Sequence, residues 1–385
     1  MIISNRDYKA GNIISCNLPF VHVLNENSKE DYCDYCCVKL IKNSKQQKCD
    51  QCKQMFYCQI ECKQKDSIKH ELECQIYRKY FHIIQSELCR FLLRLYLYAK
   101  HYPDSLSNEQ YKFGHHNNNN TNNNRCFNDL ITHRQEIEND KNPMEIFQTI
   151  CSKFESIQIE FDREILLEYF CKIRINCFPI FDCPVNKIGS GVYLAESKLN
   201  HSCLPNAIII YDGYRIAIEA LESIKSGDEI SISYLDLKYP KNIRQKELFR
   251  YYYFVCKCQR CEKSDSINCD KLYRLLQKFK QLFDENNWIK SYELGLKIFY
   301  MLKRIYRSDL HPELIMFTTM MLKIRVELLS SKTNDEHINQ ILERNIETNQ
   351  LMYSIAAYFH HHSSDLMKKH LKPIRSDIFY FATSY

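Results

Sequence analysis

The chain has 385 residues, room for roughly two or three domains and a sizeable core, with a net charge of +6 and a pI near 8.4. That balance mildly favours acidic partners and does not indicate nucleic acid. Only seven glycines are present, and neither GxGxxG nor GxxxxGK[ST] occurs, which removes the glycine-loop nucleotide folds.

No apolar run approaches the roughly 18 residues of a membrane span, so no membrane partner is expected. The opening MIISNRDYKAGN lacks the charged-then-apolar pattern of a signal peptide, so the expected compartment is cytoplasm and/or nucleus. In a reducing compartment, 20 cysteines read as metal ligands or catalytic groups wherever they cluster. The isolated ones, Cys16, Cys89, Cys126, Cys151 and Cys171, read as small buried apolar residues.

Along the chain, residues 1–30 carry the alternation NIISCNLPFVHVL, which predicts two strands. A segment dense in Cys, Lys and Gln follows at 31–76, and the pattern YFHIIQSELCRFLLRLYLYA predicts one buried helix over about 76–99. The tract HHNNNNTNNN (115–124) reads as a disordered loop whose paired histidines have little claim on a metal. Helical periodicity returns over 144–175, and short β-like runs fill 192–234, with Asp212-Gly213 marking a hairpin. From about residue 270 the sequence is helix after helix. This suggests a helix-hairpin array of tetratricopeptide type without a clean 34-residue repeat. The triple histidine at 360–362 reads as a solvated helix end.

Between residues 33 and 74 the spacing is Cys33-x2-Cys36, Cys49-x2-Cys52, Cys58-x3-Cys62 and His70-x3-Cys74. Paired cysteines two residues apart present both thiolates to one ion, and the i,i+4 pairs place two ligands on one face of a short helix. Eight ligands make two closed tetrahedral sites, so the zinc is structural and its binding supplies the folding energy. Cys37 is left over as a packed neighbour. This order resembles the MYND zinc finger. The resemblance implies interleaved ligands: Cys33, Cys36, Cys58 and Cys62 on one zinc, Cys49, Cys52, His70 and Cys74 on the other. It also implies a module that binds peptide ligands.

The stretch LNHSCLPN (199–206) holds His201 and Cys203 two residues apart. It reads as a nucleophilic pair, a metal half-site or a polar turn. Downstream, Cys256-x-Cys258-x2-Cys261 is one ligand short of a tetrahedral site, or else a set of incidental thiols. Cys203 would complete it, whereas Leu204-Pro205 offers no orienting group or oxyanion donor to a nucleophile.

The segments GSGVYLAESKLNHSCLPNA, SGDEISISYLD and RYYYFVCKCQRC resemble the SET domain. With the inserted finger, the chain resembles the SET-and-MYND (SMYD) family of protein-lysine methyltransferases over nearly its whole length. The implied fold is α+β: the N-terminal part of the SET domain at 1–30, the finger at 31–76, a helical insert at 77–175, the SET core at 176–255, a post-SET zinc cluster at 256–265 and a helical, TPR-like region at 266–385. The implied activity is methyl transfer from S-adenosylmethionine to a lysine amine of a protein substrate, histone or non-histone, by a monomer holding three zinc ions.

By the same resemblance, Asn176, Asn200, His201 and Phe254 contact the cofactor. Tyr234, which also contacts the cofactor, is the catalytic tyrosine beside the reacting amine, Tyr252 the second catalytic and channel tyrosine, and Phe178 a channel residue. On this reading Asn200-His201 face the cofactor while Cys203 turns away to zinc. One departure from the family pattern is the missing glycine-bearing turn before the first strand, since no glycine precedes Gly11. Gly11, in KAGNIIS, looks like a later turn. That departure keeps an alternative of a different class: a catalytically weak zinc-containing adaptor acting through the finger and helical region.

Overall fold

The computed structural model describes residues 1–41, 47–114, 124–183, 186–263, 268–330 and 336–371. The paired histidines of the Asn-rich tract lie outside the described residues. Three strands open the chain: β1 (Ile2–Ile3), β2 (Ile13–Asn17) and β3 (Val21–Leu24). The cysteine module contributes β4 (Gln47–Lys48), β5 (Phe56–Tyr57) and α1 (Ile60–Ile84). The insert then holds α2 (Glu87–His101), α3 (Ser105–Asn108), β6 (Tyr111–Lys112), β7 (Asn124–Arg125), α4 (Arg134–Glu138), α5 (Lys141–Ser156) and α6 (Arg163–Asn176).

The core follows as β8 (Cys177–Cys183), β9 (Asn186–Val192), β10 (Asn200–His201), β11 (Ala207–Asp212), β12 (Arg215–Ala220) and β13 (Glu229–Ile232). Next come α7 (Lys241–Tyr252) and α8 (Gln259–Glu262). The C-terminal helices are α9 (Cys269–Asp284), α10 (Trp288–Tyr306), α11 (Pro312–Ser330), α12 (Glu336–Arg344), α13 (Ile346–His362) and α14 (Asp365–Leu371). No helix among the described residues is long and apolar enough to cross a membrane.

Where one helix was expected over 76–99, there are two. The finger's own helix α1 runs on to Ile84, and Ser86, with extended backbone (φ −61°, ψ 139°), breaks it from α2. The apolar pattern crossed that break because both helices bury one face in the same core. Within α2, Arg90 and Arg94 are fully buried. Arg90 pairs with Asp34 at 3.7 Å, and Arg94 bonds Glu73 and Asp66 of α1. Buried guanidiniums are tolerated only when paired, so these contacts dock the finger on the insert.

Of the isolated cysteines, Cys89, Cys151 and Cys171 are buried as expected, but Cys16 is exposed and Cys126 half-buried. Cys16 sits on the outward side of β2 next to buried Ser15, and Cys126 precedes the 3-10 turn Phe127–Asp129. Cys37 is buried, and His360, His361 and His362 form the exposed end of α13.

Three three-stranded sheets form the core: β1-β13-β10, β11-β12-β2 and β3-β9-β8. The β11–β12 hairpin closes with Asp212 opposite Arg215, and Gly213 takes φ +60° in its turn. Gly11 has φ +83°, and a Cβ there would lie 1.6 Å from the His362 carbonyl oxygen. The end of α13 therefore rests directly on the turn before β2, where only glycine fits. Beside it, Ser364 donates to the buried Glu219 of β12. Helix α10 packs on α9 and α11, and α14 packs on β11 and β8.

Candidate active site and metal centres

The twelve predicted ligands converge in three groups of four: Cys33, Cys36, Cys58 and Cys62; Cys49, Cys52, His70 and Cys74; and Cys203, Cys256, Cys258 and Cys261. Within each group all ligand atoms lie within 4.8 Å of one another. Sulfur–sulfur separations are 3.6 Å for Cys36–Cys58, 3.5 Å for Cys58–Cys62 and 3.5 Å for Cys203–Cys261. A tetrahedral ion with metal–sulfur bonds of about 2.3 Å requires sulfurs about 3.8 Å apart, so the donor sets fit zinc.

Cys58 is not on a helix, contrary to the i,i+4 expectation. It precedes α1, and only Cys62, His70 and Cys74 lie on that helix. The interleaving arises because α1 runs past both sites. His70 turns Nε2 to Cys52 Sγ (3.4 Å) and Nδ1 to the Glu73 carboxylate (3.7 Å). Burial raises the Glu73 carboxyl, but Arg94 and His70 outweigh it and hold it at about 2. At that separation the carboxylate acts on the imidazole through its charge, from the side away from Cys52.

The stretch from Asn200 to Asn206 runs beside β13 as a row of clips. Strand β10 pairs in parallel with β13, His201 opposite Ile232. The Asn206 side chain accepts from Ser231 N (2.9 Å) and donates to Glu229 O (2.8 Å), and Asn200 Nδ2 donates to Glu229 Oε1 (2.7 Å).

His201 and Cys203 are not separated as expected. His201 Nε2 lies 3.2 Å from Cys203 Sγ, and Nδ1 accepts from Tyr234 N at 3.0 Å. Because Nδ1 accepts, the proton sits on Nε2 and points at the thiolate. Burial lowers the imidazole to about 4, consistent with a neutral ring. His201 therefore links the third metal group to the backbone of Tyr234. A two-residue strand followed by a turn brings both side chains to the same side, which alternation along a straight strand would also allow.

Tyr234 follows the end of β13. Its hydroxyl donates to Leu199 O, and its ring lies 4.8 Å from Tyr252, 6.4 Å from Phe254 and 5.3 Å from His201. Burial, then the neighbouring Tyr252, raises the Tyr234 phenol, and burial raises Tyr252 to about 12. Both phenols are protonated near neutrality.

Two cavities meet at this tyrosine pair. A cleft of about 1040 Å³ is lined by Asn200, His201, Phe254, Arg125, Asp129 and His133, among others. A second cavity of about 410 Å³ is lined by Phe178, Phe181, Tyr211, Asp236, Tyr306 and Glu313, among others. Asn176, Ser197, Tyr234 and Tyr252 line both. The predicted site residues are thus brought to one place. Asn176, on the shared wall, spends its amide on the carbonyls of Ile131 (2.8 Å) and Lys172 (2.9 Å).

Sequence reading missed the insert's contribution to the cleft (Arg125, Asp129, His133) and that of α10 and α11 to the channel (Tyr306, Glu313). These residues carry no motif, and only the chain's return places them there. Asn206, given no role from the sequence, is the second asparagine of NHSCLPN, and that repeat of residue type was the signal available.

A family model described as "SET domain" matches residues 1–235, more than half of the chain. The chain belongs to the SET-domain family. The SET domain and MYND-type zinc finger protein 6 of Schizosaccharomyces pombe is 30% identical over 182 residues, 46% of this chain and 33% of that protein. Human N-lysine methyltransferase SMYD2 is 34% identical over 137 residues, 35% of this chain and 31% of that protein. Mouse histone-lysine N-methyltransferase SMYD3 is 38% identical over 100 residues, 26% of this chain and 23% of that protein. The matches thus span a third or less of these relatives' lengths. Together with the finger-type metal groups they place the chain in the SET-and-MYND branch.

Proposed function

We propose that this protein is an S-adenosylmethionine-dependent protein-lysine N-methyltransferase holding three structural zinc ions. The observation that carries the reading is the junction of two cavities at Tyr234 and Tyr252. One opening suits a cofactor and the other a side chain entering from a separate protein, with aromatic rings at the meeting point. The relatives' printed names, N-lysine and histone-lysine methyltransferase, support the same substrate class.

When bound, S-adenosylmethionine supplies a methyl group on a sulfonium, a cation that aromatic faces stabilise. The residues fit it: Phe254, Tyr234 and His201 present rings to the cleft, and Asn200 and Asn176 lie on its wall. A lysine amine has a free pKa of about 10.4 and must be neutral to attack. Phe178, Tyr252 and Tyr234 give it an apolar, aromatic channel that disfavours the charged form. Tyr234 is held at both ends, its backbone N–H by His201 and its hydroxyl by Leu199 O, and so fixes the direction of approach. Alignment of the reacting groups carries most of the rate.

Calorimetric titration of zinc-loaded protein with S-adenosylmethionine tests the reading. Saturable one-site binding is expected, together with methyl transfer to a lysine-bearing protein that Tyr234→Phe abolishes without loss of fold or zinc. Absence of binding rejects the enzyme.

A further inference from the structure

Arg125 enters the cleft from β7, the strand that follows the Asn-rich tract. It is 7% exposed and lines the cleft wall with Ser197 and Asp129. Its hydrogen-bond partners are neutral: Nη1 donates to Ser197 Oγ (3.1 Å) and Nη2 to the Asp129 backbone carbonyl (2.9 Å). The Asp129 carboxylate is turned to the Cys126 N–H (2.8 Å). Among the described residues no carboxylate lies within ion-pair distance of Arg125.

This contrasts with Arg94, which is also buried and pairs with Glu73 and Asp66. A guanidinium withdrawn from water without a counter-ion is costly, and such groups are found paired. The lysines on the wall differ: Lys257 is exposed and Lys198 half-buried, so water screens them. Arg125 has five N–H donors and leaves several available, in a planar fork that matches a carboxylate with two parallel bonds.

We propose that Arg125 is the anion anchor of the cleft, binding the amino-acid carboxylate of S-adenosylmethionine. The inference rests on the cofactor reading above and deepens it. The carboxylate is the only anionic group of that cofactor, and the cleft wall bearing Arg125 also bears Ser197 and Asn176, which extend to the tyrosine junction. Anchoring the amino-acid end there holds the sulfonium beside Tyr234. The nearby Ser197 hydroxyl, which accepts from Arg125 and itself donates to Leu194 O (2.7 Å), sets the guanidinium plane.

Calorimetry on the full zinc-loaded chain compares S-adenosylmethionine with methylthioadenosine, which keeps the nucleoside and thioether and lacks the amino-acid end. The wild type should bind the full cofactor more tightly. Arg125→Gln should weaken S-adenosylmethionine by about 10- to 100-fold, the weight of a charge-assisted hydrogen-bond pair, and change methylthioadenosine by less than about twofold. Arg125→Lys, which keeps the charge and loses the fork, should fall between.

Equal losses for both ligands would make Arg125 a brace of the wall and overturn the assignment. So would unchanged S-adenosylmethionine affinity in Arg125→Gln, or equal wild-type affinity for the two ligands, which needs no variant. In those outcomes the cofactor reading stands. A wild type that binds neither ligand overturns both.

Discussion

Glu219 is a carboxyl placed inside the joint between the SET sheet and the C-terminal helices. It lies on β12 with 0% exposure, accepts from Ser364 at the start of α14, and its Oε1 has no hydrogen-bond partner among the described residues. Burial raises it from 4.5 to about 7, with Ser364 and Lys368 acting in the opposite sense. The folded protein therefore binds the proton more tightly than the unfolded chain. The stabilisation belongs to the neutral carboxyl, is complete at pH values below the unfolded pKa, and is lost as pH rises towards the folded value. The difference between those values corresponds to about 3 kcal/mol in all, of which about 1.4 kcal/mol falls between about pH 6 and about pH 8.5.

Glu219→Gln keeps the shape and the acceptor for Ser364 and removes the charge. Urea unfolding, with zinc present throughout, should show the wild type losing about 1.4 kcal/mol more than Glu219→Gln over that pH interval. The variant should be the more stable at the alkaline end. If the two proteins track one another across the interval, Glu219 is not a buried carboxyl at this joint, and the contact of Ser364 with β12 is refuted.

Cys203→Ser should lower zinc from three ions per chain to two by atomic absorption, because it removes one of the four donors of the third group; retention of three would exclude Cys203 as a ligand. His201→Ala removes the acceptor of a half-buried Tyr234 N–H and a donor to Cys203 Sγ, so unfolding free energy should fall by about 1–3 kcal/mol. Stability equal to wild type would show that this imidazole does not brace the tyrosine.

The metal groups were legible because coordination chemistry is written in spacing. Cysteines two residues apart form a knuckle whatever surrounds them, and eight such positions define two sites. The hairpin at Asp212-Gly213, the strands of 12–24 and the C-terminal helices were legible from local period and turn chemistry. So was the placement of Asn200, His201, Phe254, Tyr234 and Tyr252 about one site, through the family resemblance of the segments around them.

Tertiary structure alone decided the rest. The apolar run over 76–99 could not reveal the break at Ser86, because hydrophobic period is blind to a kink that leaves both faces buried. Nor could it show that Arg90 and Arg94 turn inward to acids of the finger, since a buried cation differs from a solvated one only by what stands opposite. His201 and Cys203 were separable on paper, yet the fold joins them because Tyr234 and the third metal group approach the same imidazole from two sides.

Arg125 is the plainest case. It follows a low-complexity tract and matches no motif. Its meaning comes from burial in a cleft whose wall includes distant residues such as Ser197, 72 positions later. Local sequence specifies ligands, turns and periods. Which charge is left without a counter-ion is a property of the closed chain.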